Sequence, residues 1–225
     1  MRMTLKSLIV AALVSLGMTA GCGAANAGAC VTGTLASYEA LGPTGCTIGN
    51  MTFFDFGWTP TATSGASAPP ATIETATPHG FGFDFSGLFY ATGAETSADA
   101  ILTYTVKTTD GANTIDQATL LALGTGSTYD GVTEALCVGG LLTACPPGGN
   151  RSMTVTGNGV ADSVSFPGVN EVDVRKDIST IGSSSGTETL SSVTNIVDQP
   201  VSEPTSLAIL VVSLLGLVAF RRFQN

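Results

Sequence analysis

Histidine is nearly absent from this chain, since His79 is the only one among 225 residues. Triad hydrolases need a histidine base, so a single histidine leaves few such sites possible. Residues 182–186 satisfy the Gly-x-Ser-x-Gly pattern around Ser184, but that motif requires a later histidine and none follows. We therefore predict no catalytic residue, and we interpret Ser184 as part of a turn and His79 as a loop residue.

Basic residues are also scarce, with 8 lysines and arginines against 17 aspartates and glutamates, a net charge of -9. Arg2, Lys6, Arg221 and Arg222 lie in the two ends, so residues 28–206 carry 4 basic and 17 acidic groups, or 4 - 17 = -13. Such an acidic surface repels phosphate backbones, which excludes a nucleic-acid partner. Charge of this kind is typical of a soluble exported protein.

Carboxylate side chains, in contrast, are numerous and could serve in catalysis. Glycoside hydrolysis needs two of them, and Asp55, Asp84, Asp110 and Asp116 are candidates that the sequence cannot distinguish from surface groups. The oxygens of Asp110, Asn113 and Asp116 have a loosely calcium-like spacing, but the EF-hand pattern is missing and a turn is favoured. We predict no metal and no cofactor.

The N-terminal segment has the three parts of a secretory signal peptide. Arg2 and Lys6 precede the apolar run 7–16, and small residues follow as far as Ala25 and Ala27. The basic residues stay in the cytoplasm, and small side chains fit signal peptidase. We expect passage through the Sec translocon and cleavage after Ala27.

A lipoprotein box is the alternative at this end. Thr19-Ala-Gly-Cys22 loosely resembles one, with Cys22 as the lipidated residue. Thr19 stands where the box usually has leucine. We therefore favour signal peptidase cleavage after Ala27, which discards Cys22.

The C-terminal segment predicts a single transmembrane helix. Leu207 to Phe220 holds no charge and is followed at once by Arg221 and Arg222. Residues 204–220 just reach the lower limit of about 17 residues for a spanning helix. The two arginines place the C-terminus in the cytoplasm, so the body of the protein lies outside the inner membrane. The alternative is a buried strand or helix of the domain.

The order of motif, apolar helix and basic tail resembles the PEP-CTERM sorting signal of Gram-negative bacteria. Val201, Ser202, Glu203 and Pro204 match its Val-Pro-Glu-Pro motif except that Ser202 replaces the first proline. In that family the motif, the helix and the Arg-Arg tail are recognised by exosortase, in bacteria that usually make exopolysaccharide. The resemblance implies that exosortase is a partner and that Arg221 and Arg222 belong to the signal.

Both ends of the predicted ectodomain, but not its middle, resemble a recurring PEP-CTERM ectodomain. They are the segments 30–38, 41–49 and 51–56, together with Val174-Arg-Lys-Asp-Ile178 and Ser192-Val-Thr-Asn195. The family implies export, anchoring, cleavage, and release into or display within an extracellular matrix. For this type of ectodomain it implies no chemistry.

Four cysteines, Cys30, Cys46, Cys137 and Cys145, remain after processing. An even number in an oxidising compartment predicts disulfides, and four cysteines allow three pairings. We favour Cys30 with Cys46 and Cys137 with Cys145, because each pair closes a short loop bearing glycine or proline. The long intervals do not fit a zinc site.

Period-two patterns and frequent Gly, Pro, Thr and Ser predict an all-β ectodomain, a β-sandwich or jelly roll. Turn signals include Asp110-Gly111, Asp130-Gly131 and residues 146–149, while residues 59–70 have the composition of an exposed loop. The predicted strands are Met51–Phe56, Ile101–Thr108, Thr119–Leu123, Val132–Val138, Met153–Thr156, Ser163–Phe166, Val172–Ile178 and Thr187–Val197.

Aromatic residues allow two interpretations. Phe81, Phe83 and Phe85 share one face of a strand, and we predict that they pack into the core. A carbohydrate-binding module would instead expose aromatics such as Trp58, Tyr90 or Tyr129 for stacking on sugar rings.

Taken together, the sequence predicts a signal peptide at 1–27, a secreted β-rich ectodomain at 28–198 and a sorting signal at 199–225. The predicted function is a non-enzymatic cell-surface or matrix protein associated with exopolysaccharide in a biofilm. A carbohydrate-binding module and a surface glycoside hydrolase are the alternatives. The first requires exposed aromatics in a row, and the second requires two carboxylates that converge in a cleft.

Overall fold

The computed structural model describes residues 27–199, apart from 95, 112, 126–129, 157–158 and 184–186. The N-terminal segment with Ala25 and Cys22, the motif Val201 to Pro204, and the apolar run with its arginines lie outside the described residues. The described strands are β1 (Gly28–Ala29), β2 (Gly33–Thr34), β3 (Cys46–Ile48), β4 (Met51–Ala62), β5 (Ala66–Ser67), β6 (Thr75–His79), β7 (Gly82–Thr92), β8 (Ser97–Thr108), β9 (Ile115–Thr125), β10 (Asp130–Val138), β11 (Asn150–Thr156), β12 (Val160–Val169), β13 (Glu171–Ile181) and β14 (Thr187–Asp198).

The strands form two sheets, which confirms the all-β prediction. The first sheet has the order β1-β3-β4-β8-β13-β10-β11, and the second has the order β12-β9-β14-β7-β6-β2, with β5 also paired to β7. Pairing is antiparallel except between β1 and β3. One α-helix, α1 (Leu35–Glu39), and two 3-10 turns, Gly42–Thr44 and Leu142–Ala144, complete the described elements.

Alternating burial explains why these segments are strands. In β13, Val172, Val174, Lys176 and Ile178 are fully buried, while Asp173, Arg175 and Asp177 between them are partly exposed. Side chains on a strand point alternately to the two faces of the sheet, so every second residue faces the opposite sheet. The same arrangement recurs in β8 and β14, and the inner faces of both sheets together make one core.

Several strands are longer than the sequence predicts, and three local predictions were wrong. Asp130 and Gly131 are the first two residues of β10, where Gly131 pairs with β11 and β13, and they do not form the predicted hairpin turn. Residues 59–62, predicted as loop, extend β4 along β8. His79 ends β6, paired with Gly82, instead of lying in a loop.

A β-bulge in β4 separates its two halves. The register against β8 shifts between Phe54 and Gly57, and Asp55 adopts a positive φ of 55°. The Glu39 carboxylate, at the end of α1, accepts a hydrogen bond of 2.8 Å from the backbone N–H of Trp58. This contact satisfies a ladder donor next to the bulge and ties α1 to the first sheet.

Six aromatic rings pack together in the core, those of Tyr38, Phe53, Phe56, Phe83, Phe85 and Tyr104. Phe83 lies at their centre, with ring centroids 5.2 Å from Tyr38, 5.1 Å from Phe53 and 5.6 Å from Phe56. These pairs are close to edge-to-face, the favoured arrangement for aromatic rings. Phe85 is buried as predicted.

Phe81 departs from the prediction that all three phenylalanines are in the core. It is 39% exposed and precedes the first residue of β7. The turn between β6 and β7 takes Phe81 out of the alternation, and its ring packs beside the backbone of Gly49.

Two disulfides close short loops. Cys30 is bonded to Cys46 across 16 residues of sequence, and Cys137 is bonded to Cys145 across 8. These are the pairs that the sequence analysis favours. The first fixes β1 to β3 at the edge of the first sheet, and the second closes the loop that leads from β10 to β11.

Loop length gives an expected energetic difference between the two disulfides. Replacing Cys30 and Cys46 together by alanine should lower the free energy of unfolding by about 3 kcal/mol, because a cross-link over about 15 residues restricts the unfolded chain by that amount. The Cys137→Ala, Cys145→Ala double variant should lose less, since its loop is shorter. Denaturant unfolding of both variants measures the difference, and a larger loss for the shorter loop would contradict it.

None of the helices within the described ranges is long and apolar enough to cross a membrane.

Candidate functional site

A cluster of four polar side chains is enclosed between the two sheets. Tyr104 in β8, Glu134 in β10 and Lys176 in β13 come from the first sheet, and Asn195 in β14 comes from the second. None of the four side chains is more than 1% exposed. We call these four residues the inter-sheet cluster.

Strand register brings the four residues together. Glu134 and Lys176 are directly opposite each other on β10 and β13. Tyr104 lies on β8, on the other side of β13, where it pairs with Val174. Each residue occupies an inward position of its strand, so the packing of the sheets places Asn195 against Tyr104 and Glu134.

The amide of Asn195 is held at both ends. Its Nδ2 donates to the backbone carbonyl of Thr119 at 3.0 Å and to Glu134 Oε1 at 3.2 Å. Its Oδ1 accepts the hydrogen bond of the Tyr104 hydroxyl. A backbone carbonyl can only accept, so the contact with Thr119 fixes which end of the amide is nitrogen.

Tyr104 acts as a donor in this arrangement. Burial raises the pKa of its hydroxyl well above the ordinary value, so the group remains protonated over the physiological range. A protonated phenol aimed at Oδ1 stabilises negative charge on that oxygen. Such a donor is the usual element of an oxyanion site.

Lys176 and Glu134 form a fully buried ion pair. Lys176 Nζ contacts Glu134 Oε2 and also lies 5.9 Å from the centre of the Tyr104 ring. Burial lowers the pKa of Lys176 well below its ordinary 10.5, because an enclosed ammonium loses its hydration. Burial therefore favours the neutral form of the Lys176 amine relative to an exposed lysine.

The amine of Lys176 and the amide of Asn195 thus both contact the carboxyl group of Glu134, in a site without bulk water. A neutral amine is a nucleophile, and carboxyl groups transfer protons. Each of these groups touches another member of the inter-sheet cluster.

A second buried carboxyl group lies outside this cluster. Glu74 is 1% exposed, and among the described residues its Oε2 has no hydrogen-bond partner. Burial, with a further contribution from the negative charge of Asp84, raises its pKa from 4.5 to about 8. Gly87 makes room for it, since a Cβ there would lie 1.6 Å from Glu74 Oε2.

Two surface cavities of the described residues are large enough to hold a small molecule. One, of about 240 Å³, lies beside the Cys30–Cys46 disulfide and is lined by residues 28–33, Ser37, Tyr38, Leu41, Gly45 and Cys46. The other, of about 180 Å³, is lined by Val138, residues 146–149, Arg151, Pro167 and Val169. Neither is lined by an aspartate or a glutamate, so Glu74 and Asp84 do not face either cavity.

The carboxylates singled out in the sequence are dispersed. Asp55 lies in the bulge of β4, Asp84 in β7 and Asp116 in β9. Asp110 accepts hydrogen bonds from the backbone N–H and the side-chain amide of Asn113, at 3.2 and 2.7 Å, as the turn interpretation predicts. Across the described part of the chain, no group of three or more histidine, cysteine, aspartate or glutamate side chains could hold a metal ion.

The aromatic residues proposed for sugar stacking do not form a row. Trp58 is only 8% exposed, and its ring N–H donates to the backbone carbonyl of Pro69 at 2.9 Å, so it is a core residue. Tyr90 is 39% exposed on the outer face of β7, and Tyr129 lies outside the described residues. Ser184 is also outside them.

The inter-sheet cluster is not predicted from the sequence, although the sequence contains a signal for it. Lys176 is in phase with Val174 and Ile178, and Asn195 is in phase with Val193 and Val197. A polar residue at an apolar position of an alternating strand faces the core. The signal could indicate burial, but not which polar residues would meet.

Fold and site together define a disulfide-linked, all-β sandwich with an enclosed ionisable cluster between its sheets. No protein-family model matches the chain, and no curated protein matches it.

Solved structures give partial likenesses. The enzymatically active domain of tailspike protein 4 of bacteriophage CBA120 has a TM-score of 0.32 at 12% identity, over 64% of this chain and 19% of that one, so this chain spans about a fifth of it. A low-affinity xylan-binding module from Roseburia intestinalis has a TM-score of 0.24 at 10% identity, and the match covers 63% of this chain and 96% of that one. A family 11 carbohydrate-binding module from Clostridium thermocellum has a TM-score of 0.24 at 10% identity, and the match covers 75% of this chain and 97% of that one. TM-scores this low establish neither a shared fold nor a shared function.

Proposed function

We propose that the chain is an exported, non-enzymatic protein of the cell surface or extracellular matrix, held in the inner membrane by residues 207–220 and cut by exosortase near Glu203 and Pro204. The two disulfides of the sandwich are the observation that carries the proposal. Disulfides persist in oxidising compartments outside the cytoplasm. Such a compartment is where a chain with a signal peptide would fold.

The position of the fold in the sequence gives further support. The described strands lie between Gly28 and Asp198, within the ectodomain that the sequence predicts between the two targeting signals. The acidic excess of that sequence suits a soluble, displayed domain.

Mapping both termini of the native protein tests the proposal. Mass spectrometry of membrane and medium fractions should find an N-terminus at Gly28 and, in the medium, loss of everything beyond the Glu203-Pro204 motif. Deleting exosortase from the producing strain should abolish that loss. Detection of Arg221 and Arg222 in all of the protein would show an ordinary single-pass surface protein.

Two substitutions in the motif make the test specific. Glu203→Ala should leave the tail attached and the protein in the membrane fraction. Ser202→Pro restores the motif of the family that the tail resembles, so it should preserve release. Equal release of the Glu203→Ala variant would contradict recognition of this motif.

A further inference from the structure

The geometry points to an intramolecular amide bond between Lys176 Nζ and Asn195 Cγ, formed by the protein itself with Glu134 and Tyr104 as catalytic residues. Such a bond would link the two sheets covalently. It uses only groups of the inter-sheet cluster and requires no cofactor or oxidant. It also stands independently of how the chain is exported or anchored.

The two reacting groups lie against the same carboxyl group. Lys176 Nζ contacts Glu134 Oε2, and Asn195 Nδ2 donates to Glu134 Oε1 at 3.2 Å. The nucleophile must lose a proton and the leaving nitrogen must gain one. Glu134 touches both nitrogens, which is the position required of a general acid–base group.

The electrophile is polarised from its other side. The Tyr104 hydroxyl donates to Asn195 Oδ1, the oxygen on which negative charge develops when an amine adds to Cγ. The contact of Nδ2 with the Thr119 carbonyl keeps the amide in this orientation. Charge stabilisation of this kind is strongest where water is excluded, and Asn195 is 1% exposed.

Burial also favours the reactive form of the nucleophile. Among the described residues, Lys176 Nζ has no hydrogen-bond partner other than the Glu134 ion pair. An ammonium group has three donors, so one acceptor leaves the charged form poorly satisfied. A neutral amine with a free electron pair is the form that attacks a carbonyl carbon.

The reaction balances without any other reactant. The Nζ–Cγ bond forms and the Cγ–Nδ2 bond breaks. Glu134 takes a proton from Nζ and delivers one to Nδ2, which leaves as ammonia. No atom is oxidised or reduced, and the protein becomes lighter by one ammonia molecule.

A peptide map of the full chain, produced with its signal peptide and purified after export, tests the bond. The protein is denatured, reduced, alkylated and digested with a protease that cleaves on the C-terminal side of glutamate. Digestion then separates residues 172–188, which contain Lys176, from the peptide that begins at Thr189 and contains Asn195. We expect these two peptides as one species with their summed mass less one ammonia. Fragmentation should locate the link at Lys176 and Asn195.

Variants separate the chemistry from the fold. Lys176→Met and Glu134→Gln should each release two separate peptides. Lys107→Met is the matched control, because Lys107 is an exposed lysine paired with Glu171, and its cross-link should be unchanged. Circular dichroism establishes whether each variant has folded.

The wild-type map decides the question even if the core variants fail to fold. Unmodified, separate peptides from folded wild-type protein would show that Lys176 and Glu134 are only an ion pair, and the proposal would be wrong. A link from Lys176 to Glu134, with loss of water, would equally overturn the assignment to Asn195.

Discussion

Replacing Glu74 with glutamine is expected to remove a large part of the pH dependence of folding stability. The pKa of Glu74 rises from 4.5 to about 8 on folding, so the folded protein holds a proton there that the unfolded chain releases. Stability from this group is complete below pH 4.5 and is lost as the pH rises toward 8. Each pH unit in that window costs up to about 1.4 kcal/mol, so the loss approaches about 5 kcal/mol.

Denaturant unfolding at several pH values measures this effect. Wild type and Glu74→Gln should have similar free energies of unfolding near pH 4, because the buried carboxyl group is then neutral. By pH 9 the variant should be the more stable protein. Asp84→Asn is the control. Removing that negative charge should narrow the pH range over which stability is lost, but the loss should remain, because burial is the larger cause of the raised Glu74 pKa. Parallel curves for wild type and Glu74→Gln would contradict the prediction.

The strands could be predicted from sequence because each sheet buries one face. In β13, alternation of Val172, Val174 and Ile178 with polar residues requires an extended chain with one side against a core. The pattern does not depend on distant partners, so a single sequence contains it. The two disulfides were predictable for a related reason, since each closes a local loop.

Strand ends were less predictable where the backbone departs from a regular ladder. The prediction for β4 stopped at Phe56, but the strand continues to Ala62. The bulge at Asp55 changes which residues face inward: Met51 and Phe53 are buried before it, Phe56 and Trp58 after it. The period-two pattern is interrupted at the bulge, so the sequence after it does not indicate a continuation of the same strand.

Tertiary pairing also overrides local turn preferences. Asp130-Gly131 has the composition of a hairpin turn, yet Gly131 is opposite Thr156 on one side and Ser179 on the other. A strand paired on both sides gains hydrogen bonds that a turn at this position would forgo. Those partners are distant in sequence, so local composition could not indicate them.

The inter-sheet cluster was unpredictable for the same reason. Lysine is rarely buried without a partner, so composition alone predicts an exposed side chain for Lys176. Its partner Glu134 lies on another strand, and Asn195 is 61 residues from Glu134. Only the register between β10 and β13, and the packing of the second sheet, bring them together. The sorting motif, in contrast, is local and stays a prediction from sequence.

Truncating Phe83 to alanine is expected to cost about 3 to 5 kcal/mol of unfolding free energy, the range for large aromatic side chains removed from a core. Phe83 is fully buried, and its ring contacts Tyr38, Phe53 and Phe56 in close to edge-to-face geometry. The ring joins β7 of the second sheet to β4 of the first, so neighbours on one strand cannot fill the space alone. Denaturant unfolding measures the loss.

Phe81→Ala is the matched control for this prediction, because it removes the same ring two residues earlier. Phe81 is 39% exposed and lies before β7, so its truncation should cost less than about 1 kcal/mol. If all three phenylalanines shared one core face, as simple alternation predicts, the two variants would lose similar amounts. A larger loss of unfolding free energy for Phe83→Ala than for Phe81→Ala would show that the β6–β7 turn, and not the alternating pattern, determines which ring is buried in the core.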